Sequence, residues 1–309
     1  MTDRIDTHHH VVPPEYADWL RSKGALAGGL PIPEWTQEAA LHLMEQNGIA
    51  SAVLSVSTPG VHLGDQAEAR AMARVVNEFA AQQVRDHPSR FGFFLTTPLP
   101  DVDGALDEVA YAYDRLGADR VVLLANNRGT YLGDPAFDPL FEELDRRHAV
   151  VFVHPSILPG LEPLDGIPTY VADFLLDTTR AAVNMARNRV LERYPNVKII
   201  LSHAGGFLPY AAYRVAVAAS ARGDIFDGLD LLGRYWFDVA LSSSPTSLPS
   251  LLAFARPGQI TYGSDWPYAP DFAVAGMAAM YDSYDLDEAT RASIDRGAAE
   301  SLFPRFATT

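Results

Sequence analysis

Short apolar runs recur along the chain, separated by longer stretches whose apolar residues follow helical spacing. The first run opens at Arg4-Ile5, passes through Asp6-Thr7-His8-His9-His10 and ends at Val11-Val12, before Pro13-Pro14. Later runs are Ala52-Val53-Leu54-Ser55-Val56, Phe91-Gly92-Phe93-Phe94-Leu95, Val121-Val122-Leu123-Leu124, Val150-Val151-Phe152-Val153, Val197-Lys198-Ile199-Ile200-Leu201, Trp236-Phe237-Asp238-Val239 and Gln259-Ile260-Thr261-Tyr262. Helices are predicted over about 36–46, 65–86, 102–116, 139–147, 170–194, 207–221, 248–254 and 273–280, with a terminal helix over 287–302. Eight apolar strands flanked by helical patterns imply a parallel sheet covered on its faces, and their number favours a single-domain (β/α)8 TIM barrel over residues 1–309. A doubly wound sheet is the competing architecture, and no Gly-rich dinucleotide fingerprint or phosphate loop follows any of the runs.

Residues 13–35 break the rhythm. They are rich in Pro and Gly, with Trp19, Leu20 and Trp35 as apolar anchors, and read as an insertion loop after the first strand that covers a pocket. The composition narrows the chemistry further. The formal charge of −15 repels phosphate backbones, so nucleic acid is not an expected partner. The absence of cysteine removes disulfides, thiolate nucleophiles and thiolate metal ligands together. The N-terminal residues lack the apolar stretch of a signal peptide and no run reaches the length of a membrane span, which points to a cytoplasmic protein without a membrane partner.

In barrel enzymes the site lies at the C-terminal ends of the strands, so the residues that follow each apolar run are the informative ones. His8 and His10 share one face of the first strand, and His9 points away. His154 follows the fifth run, His203 follows the sixth after Ser202, and Asp265 follows the eighth after Gly263-Ser264. His42, His62, His87 and His148 fall on helices or loops, where a solvated side chain is the expectation. Three imidazoles and one carboxylate can hold a single Zn²⁺ or Mn²⁺ with a position left open, and the fourth histidine becomes a candidate acid or base. Lysine occurs only at Lys23 and Lys198, and Asn126 follows the fourth run where a bridging modified lysine would stand, so one ion is expected rather than two. Around the rim, Trp266, Trp35 and Ile157 are candidates for packing a substrate ring. Arg128, in the loop Asn126-Asn127-Arg128-Gly129, is a candidate for binding a carboxylate, with Asn126 beside it. Arg180 and Asp177 read as a structural pair.

The motifs Asp6-Thr7-His8-His9-His10, Phe152-Val153-His154-Pro155, Leu201-Ser202-His203-Ala204-Gly205-Gly206 and Tyr262-Gly263-Ser264-Asp265-Trp266-Pro267 together resemble the amidohydrolase superfamily. The likeness is to its decarboxylase branch, which includes aminocarboxymuconate semialdehyde, γ-resorcylate and 6-methylsalicylate decarboxylases. Gly92-Phe93-Phe94, Tyr131-Leu132-Gly133 and Phe237-Asp238 with Ser242-Ser243-Ser244-Pro245 look like the salicylate-type members. The resemblance implies that His8, His10, His154 and Asp265 hold one divalent ion, Zn²⁺ or Mn²⁺, with His203 beside it. It implies loss of CO₂, without an organic cofactor, from a small aromatic ortho-hydroxybenzoate or 6-methylsalicylate-like acid, or from an unsaturated carboxylic acid. Asp265 and His203 would be the catalytic pair. Metal-dependent hydrolysis of a lactone or amide is the alternative the same residues allow, and a homodimer or higher homo-oligomer is implied.

Overall fold

The computed structural model describes residues 3–220 and 223–307. Eight parallel strands form one sheet in chain order: β1 (Arg4–His10), β2 (Ile49–Ser55), β3 (Phe91–Thr96), β4 (Arg120–Leu124), β5 (Val150–His154), β6 (Lys198–Leu201), β7 (Trp236–Asp238) and β8 (Ile260–Thr261). The sheet closes on itself where Thr7 N donates to Tyr262 O at 3.0 Å and His10 N donates to Trp266 O at 2.7 Å. The barrel read from the sequence is therefore the observed architecture.

The outer layer holds α1 (Pro14–Ser22), α2 (Gln37–Gln46), α3 (Gln66–Asp86), α4 (Val102–Tyr111), α5 (Asp138–Arg146), α6 (Asp173–Arg187), α7 (Val190–Arg193), α8 (Leu208–Ala219), α9 (Ile225–Leu232), α10 (Leu248–Phe254) and α11 (Asp271–Ser283). Thr36, Asp65, Asp101 and Asp224 cap their helices by accepting a backbone N–H with the side chain. Two expectations need correction, and one further helix appears. The insertion is not all loop: Pro14 sits at the first helical position of α1, where its missing N–H costs nothing, and Tyr16, Ala17 and Leu20 form the buried face. The helix expected over 170–194 breaks into α6 and α7 at Arg189, whose φ is 56°. The helix α9 was not legible because Gly228 interrupts it; the glycine is needed, since a Cβ there would lie 2.0 Å from Ala216 O on α8. The expected helix end at Ala221 lies outside the described residues.

Inside the barrel, Ile5, Val53, Phe94, Val122, Phe152 and Ile200 face one another, and Leu302, Phe303 and Phe306 enter from below to complete the cluster. The chain end that supplies them runs through α12 (Glu288–Ala292), a π-type turn at Ser293–Gly297 and α13 (Ala298–Leu302). Phe94 stacks on Phe152 at 5.2 Å and meets Phe303 edge-on at 5.5 Å. Polar groups seal the same end. Arg4 is buried, paired with Asp282 and with Asp295, the latter at 3.1 Å, and its guanidinium lies 4.9 Å and 5.2 Å from the rings of Tyr262 and Tyr281. Arg305 meets Asp119 at 2.8 Å. The N-terminal mouth of the barrel is thus filled, and chemistry is confined to the opposite rim.

This plug makes a stability prediction. Phe303→Ala removes a fully buried ring that contacts Phe94, and it should destabilise the protein by about 3–5 kcal/mol. Urea unfolding should show a lower midpoint at unchanged slope; an unaltered midpoint would mean the plug is not part of the core.

Candidate metal centre

Four of the expected residues meet at the top of the barrel. His8, His10, His154 and Asp265 are buried, and one ligand atom of each lies within 4.8 Å of all the others. His8 Nε2 is 3.1 Å from His10 Nε2, and Asp265 Oδ1 is 3.1 Å and 3.0 Å from the same two nitrogens. His203 approaches the other carboxylate oxygen, with Nε2 3.3 Å from Asp265 Oδ2.

The far side of each imidazole fixes what the near side offers. His8 Nδ1 donates to Asp238 Oδ2 at 2.8 Å, His10 Nδ1 lies 2.9 Å from Ser55 Oγ and 3.2 Å from Ser55 O, and His154 Nδ1 donates to Pro155 O at 2.9 Å. With every Nδ1–H engaged by an acceptor, all three Nε2 atoms present lone pairs inward, and Asp265 Oδ1 adds another. Lone pairs turned toward one point repel one another unless a cation lies between them. This donor set, all nitrogen and oxygen, fits one Zn²⁺ or Mn²⁺.

The charges agree. Burial disfavours the imidazolium of His8, yet Asp238 and Asp265 overcome it and raise its pKa to about 10. Burial lowers that of His10, and burial together with His10 and His8 drives that of His154 well down. Asp265 stays ionised far below the usual carboxylate range: burial opposes this, but the charge of His8 and the close contacts with His10 and His203 prevail. The centre therefore calls for an added positive charge, which a proton on His8 supplies when no ion does.

The supporting residues lie on strand ends. Asp238, the last residue of β7, also accepts from His203 N and Ala240 N, each at 2.9 Å, so one buried carboxylate orients His8 and anchors the His203 turn. Asp6 Oδ1 accepts from His8 N at 3.0 Å and Ser264 N at 3.1 Å, while Oδ2 faces His9 Nδ1 at 3.0 Å, tying β1 to the loop that carries Asp265. Gly263 lets that loop approach, since a Cβ there would lie 2.8 Å from His8 Cβ. Asp238, Asp6 and Ser55 were not read from the sequence as supports; the available signal was a polar residue inside an otherwise apolar run.

His154, His203 and Asp265 open onto a cavity of about 810 Å³. Its walls are mainly apolar, with Leu30, Tyr170, Phe174, Leu241 and Tyr268 among them. The insertion reaches it: Ala27 and Leu30 pair across the Gly28-Gly29 turn, and a Cβ on Gly28 would lie 2.7 Å from Phe174 Cζ.

The rim candidates fare differently. Trp266 packs on His9, ring centroids 5.2 Å apart, and its Nε1 donates to Asp271 at 3.0 Å; it does not line the 810 Å³ cavity. Trp35 packs against Phe79 of α3 at 5.7 Å, in the outer layer, because the insertion returns to the helices before reaching α2. Neither tryptophan is part of the lining of the 810 Å³ cavity beside His203. Asn126 donates to both Asp177 oxygens, at 3.0 Å and 3.1 Å, and with Arg128 and Ile157 borders a separate cavity. Arg180 lies over Tyr131 at 5.0 Å, while Asp177 is held by Asn126, by Tyr131 Oη at 2.7 Å and by Ser156 N at 2.8 Å.

A parallel barrel with histidines and an aspartate gathered at its C-terminal rim defines a class, and the chain belongs to it: the amidohydrolase family model matches residues 5–305. Among individual proteins, it is 38% identical to the 6-methylsalicylic acid decarboxylase of Penicillium expansum, over 98% of this chain and 96% of that one. It is 37% identical to the decarboxylase yanB of Aspergillus niger, over 98% of this chain and 88% of that one. A crystal structure of an amidohydrolase II superposes with a TM-score of 0.92 at 32% identity, covering 97% of this chain and 99% of the other.

Two measurements test the centre. Protein purified without chelator should carry about one Zn or Mn per chain by elemental analysis, and Asp238→Ala should weaken retention by about 10–100-fold, the usual effect of losing a partner that orients a ligand. Undiminished retention would remove Asp238 from the support of the site. In chelator-treated protein, His8 binds a proton more tightly when folded than at its ordinary pKa of about 6.5, so its stabilising contribution is full below that pH. Stability should fall as pH rises from about 6.5 through about 10, and adding the ion should flatten the profile.

Proposed function

We propose that this protein is a metal-dependent, non-oxidative decarboxylase of a small aromatic acid carrying a hydroxyl ortho to the carboxylate, of which 6-methylsalicylate is the type. The observation that carries the reading is the division of Asp265: one oxygen faces the ligand nitrogens of His8 and His10, and the other faces His203. A single carboxyl group thus stands at the ion and at a proton source together. The relatives' names support the same reaction class.

An ion held by His8, His10, His154 and Asp265 would supply Lewis acidity to the carboxylate end of the substrate. The protein's own groups supply the rest. The largely apolar walls exclude water from the reacting carbon, so the proton that reaches it comes from a positioned group. The bond between ring and carboxylate breaks, the electron pair stays on the ring carbon, and that carbon takes a proton that His203 passes through Asp265, whose carboxylate is ionised before and after the transfer. CO₂ leaves as a neutral molecule through an apolar cavity. His203 carries that proton on Nε2, hydrogen-bonded to Asp265 Oδ2, and takes up one proton from solvent for each turnover; its Nδ1 is buried without a partner among the described residues, which fits an imidazole that shuttles a proton rather than one locked in place. Zn²⁺ and Mn²⁺ both suit the donors. The protein is expected to work in the cytoplasm as a homo-oligomer; among the described residues no helix is long and apolar enough to cross a membrane.

The reading is tested with metal-loaded enzyme and a panel of hydroxybenzoates under CO₂ detection. CO₂ should appear in step with the decarboxylated phenol, and Asp265→Asn should reduce the rate by at least about 10²-fold, the contribution of a positioned proton donor. His203→Gln should lower kcat more than it raises KM. Ring-opened or hydrolysed product from lactones or amides, without CO₂ from any hydroxy acid, would replace decarboxylation with hydrolysis.

A further inference from the structure

A second cavity, of about 420 Å³, lies on the same rim over the ends of β2 to β5. One segment separates it from the metal cavity. Along it Ser55 holds His10, Ser57 and Thr58 face the metal side, and Val56, Pro59 and Gly60 face the other. Thr58 Oγ1 meets Ser156 Oγ at 3.3 Å, closing the partition. The interior of the second cavity is mostly apolar, built on Val61, Leu99, Val122 and Leu158.

Two polar groups at this cavity lack partners among the described residues. His62 is half-buried, and its Nδ1 is shielded from solvent with no hydrogen bond. Arg128 is exposed at the mouth, its side chain makes no ion pair or hydrogen bond among the described residues, and it reaches across toward Gly64, where a Cβ would lie 4.0 Å from Nη1. Arg128 and Gly129 form the tip of the hairpin joining Asn126–Asn127 to Thr130–Tyr131, with φ of 52° and 92°. Such a turn favours Asn or Asp before Gly. A long cation is held there against backbone preference, in a chain of net charge −15 whose other arginines largely pair with acids.

We propose that this second cavity binds a small aromatic monocarboxylate. Its carboxylate pairs with Arg128, its ring lies on Leu99 and Val122, and a ring substituent hydrogen-bonds His62 Nδ1. The single cation suits one carboxylate, and the acidic protein disfavours anything more highly charged. An acid that has lost its carboxyl group forfeits the contact with Arg128, so this site separates acids from their decarboxylated products. The inference does not depend on the metal or on the reaction proposed above.

The test uses full-length, chelator-treated protein and 4-bromobenzoate, which has no ortho hydroxyl for chelation. Equilibrium dialysis should show one saturable site per chain, weakened at least about tenfold in Arg128→Gln, as loss of a hydrogen bond to a charged group requires, and largely retained in Arg128→Lys. Anomalous diffraction should place the bromine between Leu99, Val122 and His62. Absence of saturable binding, equal binding by Arg128→Gln, or bromine found only beside His203 would overturn the proposal. Because no ion or turnover is involved, none of these outcomes bears on decarboxylation, and failure to release CO₂ leaves the site standing.

Discussion

Mutual repulsion of inward-facing lone pairs is the constraint on which the rest of this structure depends. Three imidazole nitrogens and a carboxylate oxygen within 4.8 Å of one another, all buried, are unfavourable in isolation. They persist because each is held from behind: His8 by Asp238, His10 by Ser55, His154 by its own neighbouring carbonyl, and Asp265 by His203. Those holders stand on different strands. Only a closed barrel brings the ends of β1, β2, β5, β7 and β8 to one point, so fold and site impose each other.

How much of this was legible in the sequence depends on where each physical cause resides. The strands declared themselves because a parallel sheet covered on both faces needs continuous apolar runs, and the rim residues because they interrupt those runs at their ends. His8, His10, His154 and Asp265 were therefore readable one by one. Asp238 escaped as a partner because its role is set by the distance to His8, 230 positions away. The packing of Trp35 on Phe79 and of Trp266 on His9 was not legible for the related reason that adjacency to a motif does not fix which way a ring turns. The helix in the insertion was hidden by Pro13-Pro14, which read as a stop and instead starts α1. The Arg128 hairpin was hidden by its shortness, since two-residue strands carry no period.

Backbone strain gathers where the chemistry is. Among the described non-glycine residues with positive φ are His203, Ala204, Leu241 and Asp265, all at the C-terminal rim. Each costs on the order of 1 kcal/mol or more, and the costs are tolerated because hydrogen bonds donated by His203 N to Asp238 and by Ser264 N to Asp6 hold the loops in place. The opposite end has the reverse character: aromatic rings in contact, arginines paired with aspartates, and the chain end driven into the core.

The two ends are not independent, because a single ring joins them. Phe152 stacks on Phe94 and so on the plug below it, while its other side meets His8 at 4.8 Å. In an interior packed to crystal density, a ring in that position transmits displacement rather than absorbing it. The orientation of His8 is consequently defined twice: by Asp238 through a directional hydrogen bond, and by Phe152 through contact from beneath. A cation site built on imidazoles needs both, since the hydrogen bond fixes which nitrogen carries the lone pair and the packing fixes where that lone pair points.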